Sequence, residues 1–190
     1  AASNRWYRDT FGESFEQLSE AAVEIPRGCD GLFFHPYLQG EITPYLDDQL
    51  RASFVGATGH HGKAHFNRAV LEGIAYSMKD CYELLKNLGI APKEAALIGG
   101  GAKSVLWRQI LSDMLGIAFK IVDNADSSLG SAMLAGVATR VFASHQEAAA
   151  KCIRIRDEVL PDPQGIAFYE KQFKRYKEIQ AALAPIYHQL

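Results

Sequence analysis

The sequence predicts an α/β domain, and three observations support this fold class. A short apolar strand, Ala95 to Ile98, runs into three consecutive glycines and a helix that ends at Gly116. A second strand, Phe119 to Val122, follows at the spacing of a βαβ unit, and a long helical stripe covers residues 64–88. Because such units are right-handed, we expect the glycine turn at the carboxyl edge of the sheet, where ligands bind.

The composition is that of one well-buried domain. With 190 residues and 48% hydrophobic content, we expect residues 1–190 to form one unit, although its abrupt start suggests a piece of a longer chain. The net charge of -2 provides no basic field for nucleic acid, and no apolar run is long enough to span a membrane. Neither nucleic acid nor membrane is therefore expected as a partner.

The three cysteines are far apart and form no CxxC motif. An odd number without such spacing suggests neither a disulfide framework nor a zinc site. A reducing, cytoplasmic location fits this cysteine usage best.

The first half of the chain predicts two short helices followed by two strands. An aromatic cluster lies in a first helix closed by Gly12, and a second helix begins at Ser14 and ends before Pro26. Strands are expected at Leu32 to His35 and at Arg51 to Gly56.

Two polar loops flank the second of these strands. Residues 39–48 contain three carboxylates and a threonine, so this loop either reaches into a cleft or is a solvated surface loop. A glycine-spaced turn after the strand carries His60 and His61, which lack a metal-like partner at fixed spacing and are interpreted as solvated.

The longest periodic segment runs from Ala64 to Leu88, where Gly89 stops it. Its predicted buried stripe comprises Phe66, Val70, Ile74, Ser77, Cys81, Leu84, Leu85 and Leu88. Within it, Glu72 either faces a ligand or forms an intrahelical pair with Arg68 or Tyr76 on the surface.

The glycine turn itself has two interpretations. Gly99, Gly100 and Gly101 allow a ligand to approach bare backbone, and Ser104 is placed to cap the following helix, whose amino terminus suits phosphate. Glycine-rich turns between a strand and a helix also occur as plain connectors.

The last third of the chain predicts three helices. Residues 129–142 are rich in small side chains, which permit either close helix packing or the approach of a flat ligand near Ser127 and Ser128. Ser144 and Glu147 form a capping-box pattern. The final helix, Ile166 to Leu190, has an aromatic face that packs either internally or against a second copy in a homodimer.

Several separate motifs resemble the carboxyl-terminal half of the FGGY carbohydrate kinases. They are GEITP from Gly40, SFVG from Ser53 and HFNRAVLEG from His65, in the family's order and spacing. Ala57 departs conservatively from the larger aliphatic residue usual there. The runs at 98–109 (IGGGAKSVLWRQ) and 126–136 also match, and most closely resemble xylulokinase-like members.

This resemblance implies an actin-like, ribonuclease H-like ATPase lobe with a mixed sheet and packed helices. In the family, two lobes hold ATP and Mg²⁺ in the cleft between them, and this chain resembles the second lobe. The amino-terminal lobe, which supplies the DxG phosphate loop, most sugar contacts and the aspartate base, would be the chain's own missing partner and the main holder of Mg²⁺.

The resemblance also implies which residues contact the nucleotide. The adenosine-binding positions would be Gly99, Gly100, Gly101 and Ala102, with Ser104 and Trp107 near the base and Ala1 at a small-residue helix start beside the nucleotide. No catalytic residue and no metal ligand is assigned within the chain.

The implied function is transfer of the ATP γ-phosphoryl group to a ketose or polyol hydroxyl, with xylulose as the sugar. The fragment alone is expected to be inactive. The alternative is a non-catalytic, actin-like module for nucleotide sensing or oligomerisation. A Rossmann-type dinucleotide domain is disfavoured because the G-x-G-x-x-G spacing is absent.

Overall fold

The computed structural model describes residues 2–12, 14–123 and 126–190. The chain is built of both helices and strands. In order they are α1 Ala2–Phe11, α2 Phe15–Val23, β1 Phe33–His35, β2 Ser53–Val55, α3 Lys63–Asn87, β3 Glu94–Leu97, α4 Val105–Leu115, β4 Ala118–Val122, α5 Ser127–Ala138, α6 His145–Cys152, β5 Ile155–Val159 and α7 Pro163–Tyr187.

The helix ends follow the local rules of helix capping. The Ser14 hydroxyl accepts from the Gln17 amide at 3.2 Å, and the Gln17 side chain accepts from the Ser14 amide at 3.0 Å, which completes a capping box. Gly116 ends α4 with φ of 67°, in the left-handed region that favours glycine. Asp162 caps α7 and Pro163 occupies its first turn, so this helix begins before the expected Ile166 and ends at Tyr187.

Two sheets form, and the larger one is mixed. In the smaller sheet, β1 and β2 are antiparallel, with Phe33 opposite Val55. In the larger sheet, β4 lies between β3, which is parallel to it, and β5, which is antiparallel. The βαβ unit and the mixed sheet with packed helices are therefore confirmed.

Strand β3 corrects one expectation. Its residues alternate between exposed and half-buried, whereas a buried parallel strand was predicted. The reason is its position, since β3 forms one edge of the described three-stranded sheet. The strand also ends at Leu97, one residue earlier than expected.

Helix α3 is the centre of the fold and packs against α1, α2, α4 and β1. It contributes to both hydrophobic clusters. The larger cluster includes Leu71, Ala75 and Tyr76 from this helix, together with residues of α4 and α7, and the smaller includes Ala69 and Val70, together with residues of α1, α2 and β1.

The buried face of α3 differs from the predicted stripe. Residues 67–73 are all buried, whereas Leu84, Leu85 and Leu88 are exposed. Other elements pack on several sides of the middle of α3, so its buried surface is wider than a one-sided amphipathic stripe. At Gly73 the helix lies so close to β1 that an added Cβ would lie 2.2 Å from the Phe34 carbonyl oxygen.

The aromatic face of α7 packs internally. Tyr169 and Tyr176 are fully buried, and the Tyr176 hydroxyl lies 2.9 Å from that of Tyr37. His35 stacks on the Tyr176 ring at 4.3 Å between centroids. Towards the end of the helix, Ile186 and Leu190 are exposed.

Helices α5 and α6 form a peripheral pair. No residue of α5 is among the buried residues of the described chain, and its main packing partner is α6. The predicted helix of 129–142 is in fact Ser127–Ala138, and Phe142 folds back against Gly136. Within the described residues, no helix combines the length and apolar character needed to cross a bilayer.

Candidate functional site

The glycine turn connects β3 to α4 at the carboxyl end of the strand. A single turn of 3-10 helix, Gly100–Lys103, follows Gly99, whose φ of 82° lies in the left-handed region. Gly99, Gly100 and Gly101 are exposed, whereas Ala102 is buried. The turn therefore presents backbone to solvent on one side and is anchored on the other.

The three glycines have different surroundings. A Cβ added to Gly99 or Gly100 would meet no atom within 4 Å, so these two positions are open. A Cβ on Gly101 would lie 2.7 Å from Trp107 Nε1, so the indole ring packs directly on this residue. Gly101 thus serves packing, while Gly99 and Gly100 leave room for a ligand.

The helix start beside the turn is capped as expected. The Ser104 hydroxyl accepts from the Trp107 amide at 3.2 Å, so this side chain satisfies one of the amides that a helix start leaves unpaired. Of the seven residues predicted to contact the nucleotide, six lie in this turn and at the start of α4. The seventh, Ala1, lies outside the described residues.

Arg108 holds this turn in place, and the sequence reasoning did not identify it. Its Nε donates to the Ala102 carbonyl, and its Nη1 donates to Asp157 Oδ2 at 3.0 Å. The arginine side chain is 7% exposed. Because Asp157 is in β5, 49 residues further along the chain, no local pattern could have shown this contact.

A cleft of about 520 Å³ lies at the start of α1. It brings the small-residue helix start together with the loop after β1, two regions that are far apart in the sequence. Its lining is Ala2, Ser3, Trp6, Pro36, Leu38, Gln39 and Gly40. In the same loop, Glu41 Oε2 accepts from the Ser77 hydroxyl at 3.3 Å, which ties the loop to α3.

The start of α5 is exposed and has an ordinary cap. The Asp126 carboxylate accepts from the Ser128 amide at 2.8 Å, and this hydrogen bond lowers the Asp126 pKa. A second cleft, of about 320 Å³, lies between α5 and α6 and includes Gly130 and His145.

Glu72 is buried, which corrects the predicted surface position. It does pair with Arg68, at 2.9 Å, and it also accepts from the Gly28 amide and the Tyr169 hydroxyl. Burial raises the pKa of Glu72 above its usual range, against the opposing effect of Arg68. The carboxylate is enclosed by these partners and serves the core.

The interpretation of the turn histidines as simply solvated is incomplete. His60 is exposed, but it lies with His61, His65 and Asp30 in one cluster between the loop after β2 and the turn before β1. Asp30 is 30 residues before His60 in the chain, so fixed-spacing rules could not detect the convergence.

The chain is similar in sequence to known carbohydrate kinases. A model of the FGGY family of carbohydrate kinases, C-terminal domain, matches residues 2–139. The xylulose kinase of Bacillus subtilis (strain 168) is 37% identical over 177 residues, which cover 92% of this chain and 36% of that protein. The chain thus spans little more than a third of this relative's length.

Solved structures of similar sequence share the fold. The structure of ligand-bound xylulose kinase from Lactobacillus acidophilus has a TM-score of 0.90 at 31% identity and covers 99% of this chain and 39% of that one. The structure of gluconate kinase from the same species has a TM-score of 0.88 at 30% identity, with the same two coverages. The expected actin-like fold class is confirmed by these neighbours.

Proposed function

Because this chain belongs to the FGGY family of carbohydrate kinases, we propose that it forms the adenosine side of a sugar kinase's nucleotide cleft. In the complete kinase, ATP would donate its γ-phosphoryl group to a ketose or polyol hydroxyl. By the family resemblance, most sugar contacts and the general base belong to an amino-terminal lobe. The cysteines Cys29, Cys81 and Cys152 are unpaired, which fits a reducing compartment such as the cytoplasm.

The open glycine turn is the observation that carries this proposal. Gly99 and Gly100 lie at the carboxyl end of a parallel strand, exposed and unobstructed. A nucleotide can approach backbone closely only where no side chain intervenes. The turn is followed at once by α4, whose amino terminus offers the positive end of a helix dipole to an anion.

The neighbouring side chains would hold the turn ready for its ligand. Trp107 packs on Gly101 and limits the turn's freedom, while Arg108 fixes the Ala102 carbonyl against β5. Preorganisation of this kind reduces the entropy lost on binding.

Mg²⁺ would be bound chiefly by the nucleotide phosphates and the other lobe. Within residues 2–12, 14–123 and 126–190, the one set of three or more His, Cys, Asp or Glu side chains close enough to share an ion is Asp30, His60 and His65, none of them in the glycine turn. Mg²⁺ commonly takes few protein ligands in phosphotransfer sites and keeps phosphate oxygens and water.

Xylulose is the sugar that similar proteins favour, since several xylulose kinases are 32–37% identical to this chain. A gluconokinase of Bacillus subtilis is 35% identical over 71% of the chain, so a sugar acid is the competing substrate class.

A binding experiment tests the nucleotide site. Calorimetry with ATP and Mg²⁺ compares the wild-type chain with Gly100→Asp, which adds a negative charge without a steric clash. Gly59→Asp is the matched control, because Gly59 is exposed and equally open but lies outside the turn. We expect Gly100→Asp to lose binding and Gly59→Asp to keep it. Equal affinities in the two variants would refute the proposed site.

A chimera tests the activity and the sugar. This chain replaces its counterpart in the Bacillus subtilis xylulose kinase, and ADP release is measured with xylulose and with gluconate. The kinase proposal is supported if the chimera turns over ATP and Gly100→Asp abolishes that turnover. The sugar that the chimera prefers shows whether this part of the protein affects specificity. A folded chimera that binds nucleotide without turnover favours the non-catalytic, nucleotide-sensing module.

A further inference from the structure

A cluster of metal-ligating side chains lies outside the nucleotide site. Asp30 Oδ2 is 3.3 Å from His65 Nε2 and 3.6 Å from His60 Nε2. The ligand atoms of the three residues all lie within 4.8 Å of one another. The rings of His60 and His65 meet edge to face, with centroids 5.3 Å apart.

We propose that Asp30, His60 and His65 bind a zinc-type divalent transition-metal ion, with water as the fourth ligand. Zinc bonds of about 2.0–2.1 Å in a tetrahedral arrangement place neighbouring ligand atoms about 3.3 Å apart. Both distances from the Asp30 carboxylate are close to this value. His60, whose side chain is 72% exposed, completes the arrangement by a rotation of its ring.

His61 supports the cluster without serving as a ligand. Its Nε2 lies 3.1 Å from the Cys29 carbonyl, and its Nδ1 accepts from the Thr58 amide at 2.9 Å. The ring therefore ties the histidine-bearing loop to the turn that carries Asp30. Cys29 and Asp30 both have positive φ, near 50°, an uncommon backbone conformation in two consecutive residues other than glycine.

The hydrogen bonding of His65 defines what metal binding must change. Its Nδ1 accepts from the Gly62 amide at 3.2 Å, so in the metal-free ring the proton is on Nε2 and faces Asp30. On binding, Nε2 loses that proton and coordinates the ion, and Nδ1 becomes the protonated nitrogen. Gly62 is exposed, so its amide then donates to water.

The donor set selects the kind of ion. Two imidazoles and one carboxylate suit zinc and its transition-metal neighbours, whereas Mg²⁺ prefers oxygen ligands in octahedral geometry. This site is therefore independent of the Mg²⁺ that accompanies ATP. An ion here would fasten the turn before β1 to the start of α3 and so stabilise the fold.

Zinc titration of the 190-residue chain tests the proposal. After chelator treatment, binding is followed by calorimetry, and Co²⁺ is added separately for the visible absorption of its tetrahedral complex. Asp30→Asn removes the charge with a residue that tolerates positive φ, and His65→Gln keeps a capping side chain opposite Gly62. The control is His188→Gln, since His188 pairs with Asp47 at 2.7 Å, away from the cluster. Circular dichroism verifies that every variant is folded.

We expect one zinc ion per wild-type chain, a higher unfolding temperature with zinc, and at least tenfold weaker binding in Asp30→Asn and His65→Gln. The control should bind as the wild type does. The proposal is overturned if the folded wild type shows no saturable zinc binding. It is equally overturned if all four proteins bind zinc alike, because the cluster is then only a hydrogen-bonded set of side chains.

Discussion

The close contact between α3 and β1 gives a sharp test of the packing. In Gly73→Ala, the new Cβ would lie 2.2 Å from the Phe34 carbonyl oxygen and 3.0 Å from the Phe34 ring. Because the carbonyl belongs to a strand and cannot rotate away, the helix and the strand must separate by about 1 Å to restore van der Waals contact.

The expected cost follows from two opposing effects. Overpacking against rigid backbone destabilises a fold by up to about 3 kcal/mol. Alanine stabilises a helix by about 1 kcal/mol relative to glycine. Gly73→Ala should therefore lower the free energy of unfolding by about 2 kcal/mol and the melting temperature by about 6 °C.

Gly130→Ala is the matched control for helix propensity. A Cβ at Gly130, within α5, would meet no atom within 4 Å, so this change should stabilise its helix by at most about 1 kcal/mol. Urea unfolding followed by circular dichroism measures both variants. If Gly73→Ala is as stable as the wild type, or if Gly130→Ala loses as much, the packing argument is wrong.

Three further predictions concern buried polar groups. The Tyr76 hydroxyl is buried without a hydrogen-bond partner among the described residues, so Tyr76→Phe should raise the free energy of unfolding by about 1 kcal/mol. Tyr169→Phe removes a hydrogen bond to Glu72 and should lower the free energy of unfolding by about 1–2 kcal/mol. Thermal melts compare the two, and equal effects would contradict the assignment. Burial lowers the pKa of His35 to about 4, so the unfolded chain takes up a proton before the folded one does as the pH falls. Stability should therefore drop by about 2 kcal/mol between about pH 7 and pH 5, and less so in His35→Phe, as measured by urea unfolding at each pH. The lysine in Arg108→Lys cannot reach both the Ala102 carbonyl and Asp157, so this variant should lower the free energy of unfolding by about 2 kcal/mol and weaken ATP binding. Calorimetry measures the binding, and an unchanged affinity would show that the glycine turn does not need this arginine.

Much of the fold could be predicted because its signals are local. The helix start after Ser14, the stop at Gly116 and the glycine turn after β3 all lie where short-range chemistry requires them. The βαβ unit follows from the spacing of these same elements. These features depend on neighbours within a few residues, which the sequence displays directly.

Strand β5 was missed because its residues, IRDEV, are mostly charged and exposed. Such a strand has no apolar alternation to recognise, and it exists because its backbone pairs with β4. The exposed leucines at the end of α3 misled the prediction for the opposite reason, since their spacing is helical but no described element covers them.

In the candidate site, too, the local features could be predicted from the sequence and the long-range contacts could not. The open glycines and the Ser104 cap lie in one short segment, so the motif indicated them. The Arg108 contact with Asp157 and the approach of Asp30 to His65 join distant segments, and only the tertiary structure brings them together.

The role of α3 in both hydrophobic clusters has a consequence for how the protein opens. Because each cluster loses part of its wall when α3 unfolds, neither can persist alone, and the amides at the centre of α3 should exchange with deuterium only through global unfolding. The α5 amides, in a helix with no buried residue among the described ones, should exchange orders of magnitude faster through local opening. Hydrogen exchange would thus divide the chain into a slow unit around one helix and a fast unit at its periphery.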